Sequence, residues 1–275
     1  MSDFLIEMAR SSAARAAEAR RHESAAALER RAREAPPGAP LRLSGSGFDV
    51  IAELKLRSPA AGALGDEAQD WLGRVESYAR GGAAAVSVLT EPSRFDGSLE
   101  HLRRAAAALA PLRVPAMRKD FLVDPYQVLE ARAAGAGGVL VILRMLPRPR
   151  IVELLDAAAE HGMFVLLEAF DRIDLEVASE LKAAREGREE FILIGVNCRD
   201  LQTLKIMPER FAALAPLLPA GWPAVAESGV ASAADARRVL ELGYGAALIG
   251  TALMALEDPA QRLREIFAAT RTVQA

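Results

Sequence analysis

ARAAGAGGVLVIL (131–143) decides the fold. It reads as the end of a helix, a glycine, then a short apolar run. Glycine suits a helix C-terminus because, without a Cβ, it enters the left-handed region at no steric cost. The run GVLVIL is too short for a helix, and its Val, Leu and Ile suit a strand buried on both faces. The same unit recurs in YARGGAAAVSVLT (78–90), AAAEHGMFVLLEA (157–169) and VLELGYGAALIG (239–250).

Extending this unit along the chain marks eight strands. They are FDVIAELK (48–55), AAAVSVLT (83–90), VPAMRKD (114–120), GVLVIL (138–143), MFVLLEA (163–169), FILIGVN (191–197), PAVAES (223–228) and AALIG (246–250). Helical patterns alternate with them near 67–80, 98–110, 125–134, 149–161, 172–186, 208–215, 232–242 and 259–270. Pro125, Pro149, Pro208 and Pro259 stand at or near helix starts, where a missing N–H costs little. Ser232 is placed to cap the seventh of these helices. Strict βα alternation predicts a parallel sheet with right-handed crossovers. Eight units favour a closed (β/α)8 TIM barrel of the α/β class over an open, doubly wound sheet.

The chain has 275 residues, usual for one such barrel, so 1–275 is read as a single domain with the barrel proper from about 48. Residues 1–40 form an N-terminal helical extension, alanine-rich over 1–34 and ended by PPGAP (36–40). Its arginines read as a solvated helix face. The sharper alternative is a lid over the barrel mouth, since Phe4, Leu5 and Met8 share one helical face. Hydrophobic residues make up 51% of the chain and charged residues 26%, the balance of a globular protein with a large core. A net charge of −3 offers no basic excess for nucleic acid. No apolar run reaches the length of a membrane span. Cys198 is the one cysteine, so no disulfide forms within the chain and a cytoplasmic setting is expected. Three histidines and one cysteine make no ligand set, so no metal is predicted. A small-molecule enzyme that is a monomer or weak homo-oligomer is expected, without nucleic acid or membrane partners.

A barrel does its chemistry at the C-terminal ends of its strands. Strand 1 ends in Glu53 and Lys55, strand 3 in Lys119, strand 5 in Glu168, strand 6 in Asn197 followed by Arg199, and strand 7 in Glu227 and Ser228. Ile51, Glu53 and Lys55 alternate onto one face, as do Met117 and Lys119, or Leu166 and Glu168. If the apolar members fill the barrel, the polar members crown it. A set of unrelated ion pairs could also cap a barrel. So many ionisable groups at one end cost desolvation, which favours a catalytic cluster. The loops after strands 7 and 8 begin Ser228-Gly229 and Gly250-Thr251, where barrels often bind phosphate through backbone N–H groups.

IAELKLRSPAAG (51–62), LTEPSRFDGS (89–98), MRKDFLVDPYQVLEARAAGAGGVLVI (117–142), IGVNCRDLQTL (194–204), VAESGV (225–230) and LIGTALM (248–254) resemble the signature stretches of indole-3-glycerol phosphate synthase. The resemblance covers nearly the whole chain. It implies a lyase that converts 1-(2-carboxyphenylamino)-1-deoxyribulose 5-phosphate to indole-3-glycerol phosphate, CO2 and water, with no cofactor. By the same resemblance Glu53, Lys55, Lys119, Glu168 and Asn197 are catalytic. Ser58, Phe95, Arg199, Glu227 and Ser228 hold the substrate, and Lys55, Gly229, Gly250 and Thr251 its phosphate. It further implies Lys119 as the acid for ring closure, Glu168 as an acid/base, and Ser58 with Arg199 on the carboxylate. The chain departs from the family pattern at Leu56, Ala60, Glu91, Phe170 and Cys198, which leaves room for a related phosphorylated substrate. A non-catalytic ligand-binding barrel is the remaining alternative.

Overall fold

The computed structural model describes residues 2–45, 47–59, 62–64 and 70–271. Ala60 and the predicted helical residues 67–69 lie outside them. Among the described residues, eight parallel strands close into a barrel. They are β1 (Asp49–Leu54), β2 (Ala85–Leu89), β3 (Ala116–Lys119), β4 (Gly138–Ile142), β5 (Phe164–Ala169), β6 (Ile192–Asn197), β7 (Ala224–Glu227) and β8 (Ala246–Ile249). Each pairs with its sequence neighbours, and β1 with β8 closes the ring. The open doubly wound sheet is thereby excluded. The glycine of each repeat (Gly82, Gly135, Gly162 and Gly243) adopts positive φ where a helix turns into a strand, the conformation that made glycine the marker.

Two helices precede the barrel, α1 (Asp3–His22) and α2 (Ala25–Glu34). Eight more follow the strands: α3 (Trp71–Arg80), α4 (Leu99–Leu109), α5 (Pro125–Ala133), α6 (Arg148–Glu160), α7 (Arg172–Ala184), α8 (Glu209–Leu214), α9 (Ala233–Glu241) and α10 (Pro259–Thr270). Ser232 caps α9 in a reciprocal capping box with Asp235, and Asp124 does the same for α5 with Gln127. The apolar-run reading missed a hairpin, Arg57–Ser58 with Gly62–Ala63, and the short helices Pro92–Phe95 and Thr251–Met254. These pieces are too short to bear a periodic pattern.

Strand parity divides the core. Ile51, Met117, Leu140, Leu166, Leu193, Val225 and Leu248 fill the barrel interior. Val50, Val86, Val139, Val165, Ile194 and Ala226 face the helices in a second cluster. The interior cluster continues upward through Phe121, Met145 and Phe170 to Leu5 and Met8 of α1. The N-terminal helix therefore packs on the C-terminal mouth of the barrel. Its arginines are not all a solvated face. Arg15 forms a two-pronged ion pair with buried Asp120, at 2.9 and 2.8 Å, and Arg20 pairs with Asp124. Ser12 accepts a 2.8 Å hydrogen bond from Gln127. These partners follow β3 and begin α5, so tertiary placement overrides the amphipathic reading. Arg33, paired with Glu29 one turn away on α2, keeps the solvated role.

Candidate active site

A cavity of about 630 Å³ opens at the C-terminal ends of the strands. Its polar floor follows from parity. The interior-facing positions carry Ile51, Met117, Leu166, Leu193 and Val225 deep in the barrel, and higher on the same faces Glu53, Lys119, Glu168, Asn197 and Glu227. Register sets them side by side: Asn197 is level with Glu227, and Glu168 is level with Gly195 on the next strand.

Lys119 is the hub. Its Nζ lies 3.1 Å from Glu168 Oε2 and 3.3 Å from Glu227 Oε2. Asn197 donates from Nδ2 to Glu168 Oε1 at 3.1 Å, and its Oδ1 accepts from Ser228 Oγ at 3.0 Å and the Arg199 N–H at 2.9 Å. Each of these polar groups orients the next. A second pair, Lys55 Nζ to Glu53 at 2.6 Å, sits toward the loop after β8. A Cβ built on Gly250 would stand 3.0 Å from that Nζ, which places the Lys55 ammonium beside the glycine turn.

Burial and neighbours set the charges. Burial alone would push the Lys119 ammonium down, but Glu168, Glu227 and Glu53 outweigh it and hold it far above the usual lysine range. Burial likewise opposes charge on Glu53, yet Lys55 and then Lys119 keep its carboxyl below the usual range. Glu227 goes the other way. Burial first, then the like charge of Glu168, pushes its carboxyl up to about 8 against the pull of Lys119.

The cavity ends differ. One end is made by Ser228, Gly229, Val230 and Ala231 with Gly250, Thr251 and Ala252. Ser228 and Gly229 both have positive φ, and a non-glycine residue in that region marks a constrained turn. The other end is aromatic and apolar: Phe4, Phe95, Phe121, Leu5 and Leu201. Phe121 meets Phe4 edge-on at 5.7 Å and Phe95 at 6.2 Å. Arg199 lines the cavity with its guanidinium anchored to Leu204 O at 2.8 Å.

Of the residues predicted for the site, twelve line this cavity: Glu53, Lys55, Phe95, Lys119, Glu168, Asn197, Arg199, Glu227, Ser228, Gly229, Gly250 and Thr251. Ser58 does not. It lies in the hairpin, beside a smaller cavity of about 270 Å³ lined by Arg57, Pro59, Gly62, Ser93 and Arg94. Phe121 and the loop residues Leu201 and Ile206 were missed, because an apolar side chain in a loop carries no chemical signal until the fold turns it inward. Most departures from the family pattern fall outside the cavity lining. Leu56 packs in the outer core, and Phe170 joins the interior cluster with the Arg144 guanidinium 4.7 Å from its ring. Glu91 caps the helix Pro92–Phe95, its carboxylate accepting from Ser93 N and Oγ and from Arg94 N. Cys198 backs the Ser228–Gly229 turn, its thiol 3.2 Å from Ser228 O.

Fold and site together define a (β/α)8-barrel enzyme with its ionisable groups gathered in the barrel mouth. The family model for indole-3-glycerol phosphate synthase matches residues 6–266. A synthase of that name from Parafrankia sp. is 41% identical over 251 residues, covering 90% of this chain and 89% of its own length. One from Methanopyrus kandleri is 42% identical over 235 residues, covering 84% and 87%. The chain belongs to the indole-3-glycerol phosphate synthase family. Solved barrels share the fold at low identity. Orotidine 5'-phosphate decarboxylase from Pyrococcus horikoshii superposes with a TM-score of 0.57 at 15% identity, over 80% of this chain and 98% of that one. A mutant tryptophan synthase α-subunit from Pyrococcus furiosus gives 0.56 at 17%, over 81% and 99%.

Proposed function

We propose that this chain closes the indole ring of indole-3-glycerol phosphate, converting 1-(2-carboxyphenylamino)-1-deoxyribulose 5-phosphate with loss of CO2 and water. The observation that carries this reading is Lys119, held between Glu168 and Glu227 in a cavity with a glycine-lined polar end and an aromatic end. Phosphate goes to the Gly229 and Gly250 turns with Lys55 beside them, and the anthranilate ring goes toward Phe95 and Phe121. Arg199 takes the carboxylate. Ser58, expected beside it on the carboxylate, lines the neighbouring smaller cavity.

The ring carbon bearing the carboxylate attacks the ketone, and negative charge develops on the ketone oxygen. Lys119 donates to it. The acidic groups around it, Glu168 first, keep this ammonium charged, so its first contribution is a charged hydrogen bond aimed at the developing alkoxide. The alkoxide is more basic than an amine, so transfer of the proton follows. Loss of CO2 leaves its electron pair in the ring system. Loss of the hydroxyl as water needs one proton, and aromatisation releases one from the CH2 carbon beside the ring nitrogen, which becomes C2 of the indole. Glu168, oriented by Asn197, and the Lys55–Glu53 pair are the groups in place for these transfers. Glu227 and Ser228 orient the substrate hydroxyls. The enzyme works on this reading in the cytoplasm, as a monomer or weak homo-oligomer. No helix among the described residues is long and apolar enough to cross a membrane.

Purified protein given the carboxyphenylamino substrate should develop the ultraviolet absorbance of an indole, with one CO2 released per turnover. Binding of the product without any turnover would instead favour a non-catalytic barrel.

A further inference from the structure

Gly195 lies in the middle of β6, where glycine weakens a strand and alanine would serve better. Its φ is not in the left-handed region, so no turn requires it. Parity points it into the barrel between Leu193 of the interior cluster and Asn197 of the cavity. A Cβ built there would stand 2.0 Å from Glu227 Oε1 and 3.1 Å from its Cδ. Leu166 Cδ1, at 3.1 Å, is the end of a flexible side chain and can give way. The conflict is therefore with one carboxylate.

That carboxylate is held unusually. Glu227 is 1% exposed, and its Oε1 has no hydrogen-bond partner among the described residues, while Oε2 faces Lys119. No hydrogen bond draws Oε1 into the barrel wall. It is there because space exists there. Gly250 repeats the device for the other ion pair: its Cβ would meet Glu53 Oε1 at 2.2 Å. Gly138 is the contrast, since its Cβ would strike the Phe164 ring, an ordinary packing reason.

We propose that Gly195 is a positioning residue whose missing side chain forms a notch that seats the Glu227 carboxylate and so keeps Lys119 bridged between Glu227 and Glu168. This rests on the functional reading above. With a methyl group at 195, the carboxylate must rise toward the cavity. It then leaves Lys119 and enters the space meant for substrate.

Kinetics and melting temperatures of Gly195→Ala, Glu227→Asp, their double variant, Glu227→Ala and Gly195→Ala/Glu227→Ala test this. Gly195→Ala should lower kcat about 10²-fold, the scale of a misplacement near 1 Å, with a smaller change in KM. In the Glu227→Asp background the shorter side chain leaves room, so adding Gly195→Ala should cost less than about tenfold. Equal losses in the two backgrounds, or a Gly195→Ala enzyme as fast as wild type, would overturn the notch. If Gly195→Ala alone fails to fold, the pair with Glu227→Ala decides. Adding the methyl to Glu227→Ala should leave Tm unchanged or raise it, and a double variant that also fails to fold, or melts well below Glu227→Ala, sinks the proposal. A wild-type protein that does not turn over the substrate refutes the functional reading, and the Tm coupling between 195 and 227 still judges the notch.

Discussion

Lys119 sits where Glu168 and Glu227 converge, and replacing it tests the proposed chemistry separately from folding. Lys119→Met keeps the length of the stem and loses the proton and the charge. It should lower kcat by about 10²–10⁴-fold, the range for a positioned general acid, and keep affinity for sulfate at the glycine turns. A loss below tenfold would remove Lys119 from that role. Glu227 yields a pH signature of definite sign. Its carboxyl is raised in the folded protein, so its contribution to stability is full below the ordinary carboxylate range and is lost as pH climbs toward about 8. Glu227→Gln does not ionise. The melting temperature of this variant minus that of wild type should therefore rise steadily from acid to mildly alkaline pH. A flat difference would show that Glu227 is already charged throughout.

The element that most changes the reading of the site is α1. Leu5, Met8, Ser12 and Ala16 form its buried stripe, and the first two end on the interior cluster beside Phe121 and Phe170. Phe4 and Leu5 line the cavity itself. Asp120 follows Lys119 directly, and it accepts from Arg15, from Thr90 Oγ1 at 2.8 Å and from Arg118 at 3.2 Å. The helix is thus tied to the backbone that carries Lys119, the proposed acid. Deleting residues 1–34 should raise KM first and lower kcat less, because a cover completes the pocket and excludes water. Some loss of Tm is expected as well, since Leu28 and Ala32 of α2 are buried. A truncated protein that melts far lower yet keeps its KM would make the extension a structural plug and not a cover.

Across the whole molecule, the closed barrel gives the cavity a direction. Strand ends β7, β8 and β1 bring together the Ser228–Gly229 turn, the Gly250–Thr251 turn and Lys55, while the loops after β2 and β3 bring Phe95 and Phe121. On the proposed reading, a phosphorylated substrate with an aromatic ring lies across this mouth with its phosphate at the glycine turns and its ring toward Phe95 and Phe121. Crystals grown from sulfate or phosphate should show the anion between the two glycine turns, and the same anion should compete with substrate. An ordered anion at the aromatic end, with none at the turns, would reverse the assigned orientation.

The eight βα units, the barrel interior and the polar crown are properties of local pattern. Short apolar runs buried on both faces, glycine at helix ends and a polar residue closing most of the runs are all written within about ten residues. Glu53, Lys119, Glu168, Asn197 and Glu227 were legible for that reason. The tertiary structure decided what depends on atoms far apart in the chain. Arg15 and Asp120 are 105 residues apart, and no periodicity distinguishes an arginine that reaches a buried carboxylate from one in water. Ser58 pairs with Gly62 in a short hairpin, beside a second and smaller cavity, and so short an element leaves no pattern. The absence of a side chain at Gly195 gains meaning only when Glu227, from the neighbouring strand, occupies the space. Local sequence determines which way each side chain points along its own strand, and only closure of the barrel determines what it meets there.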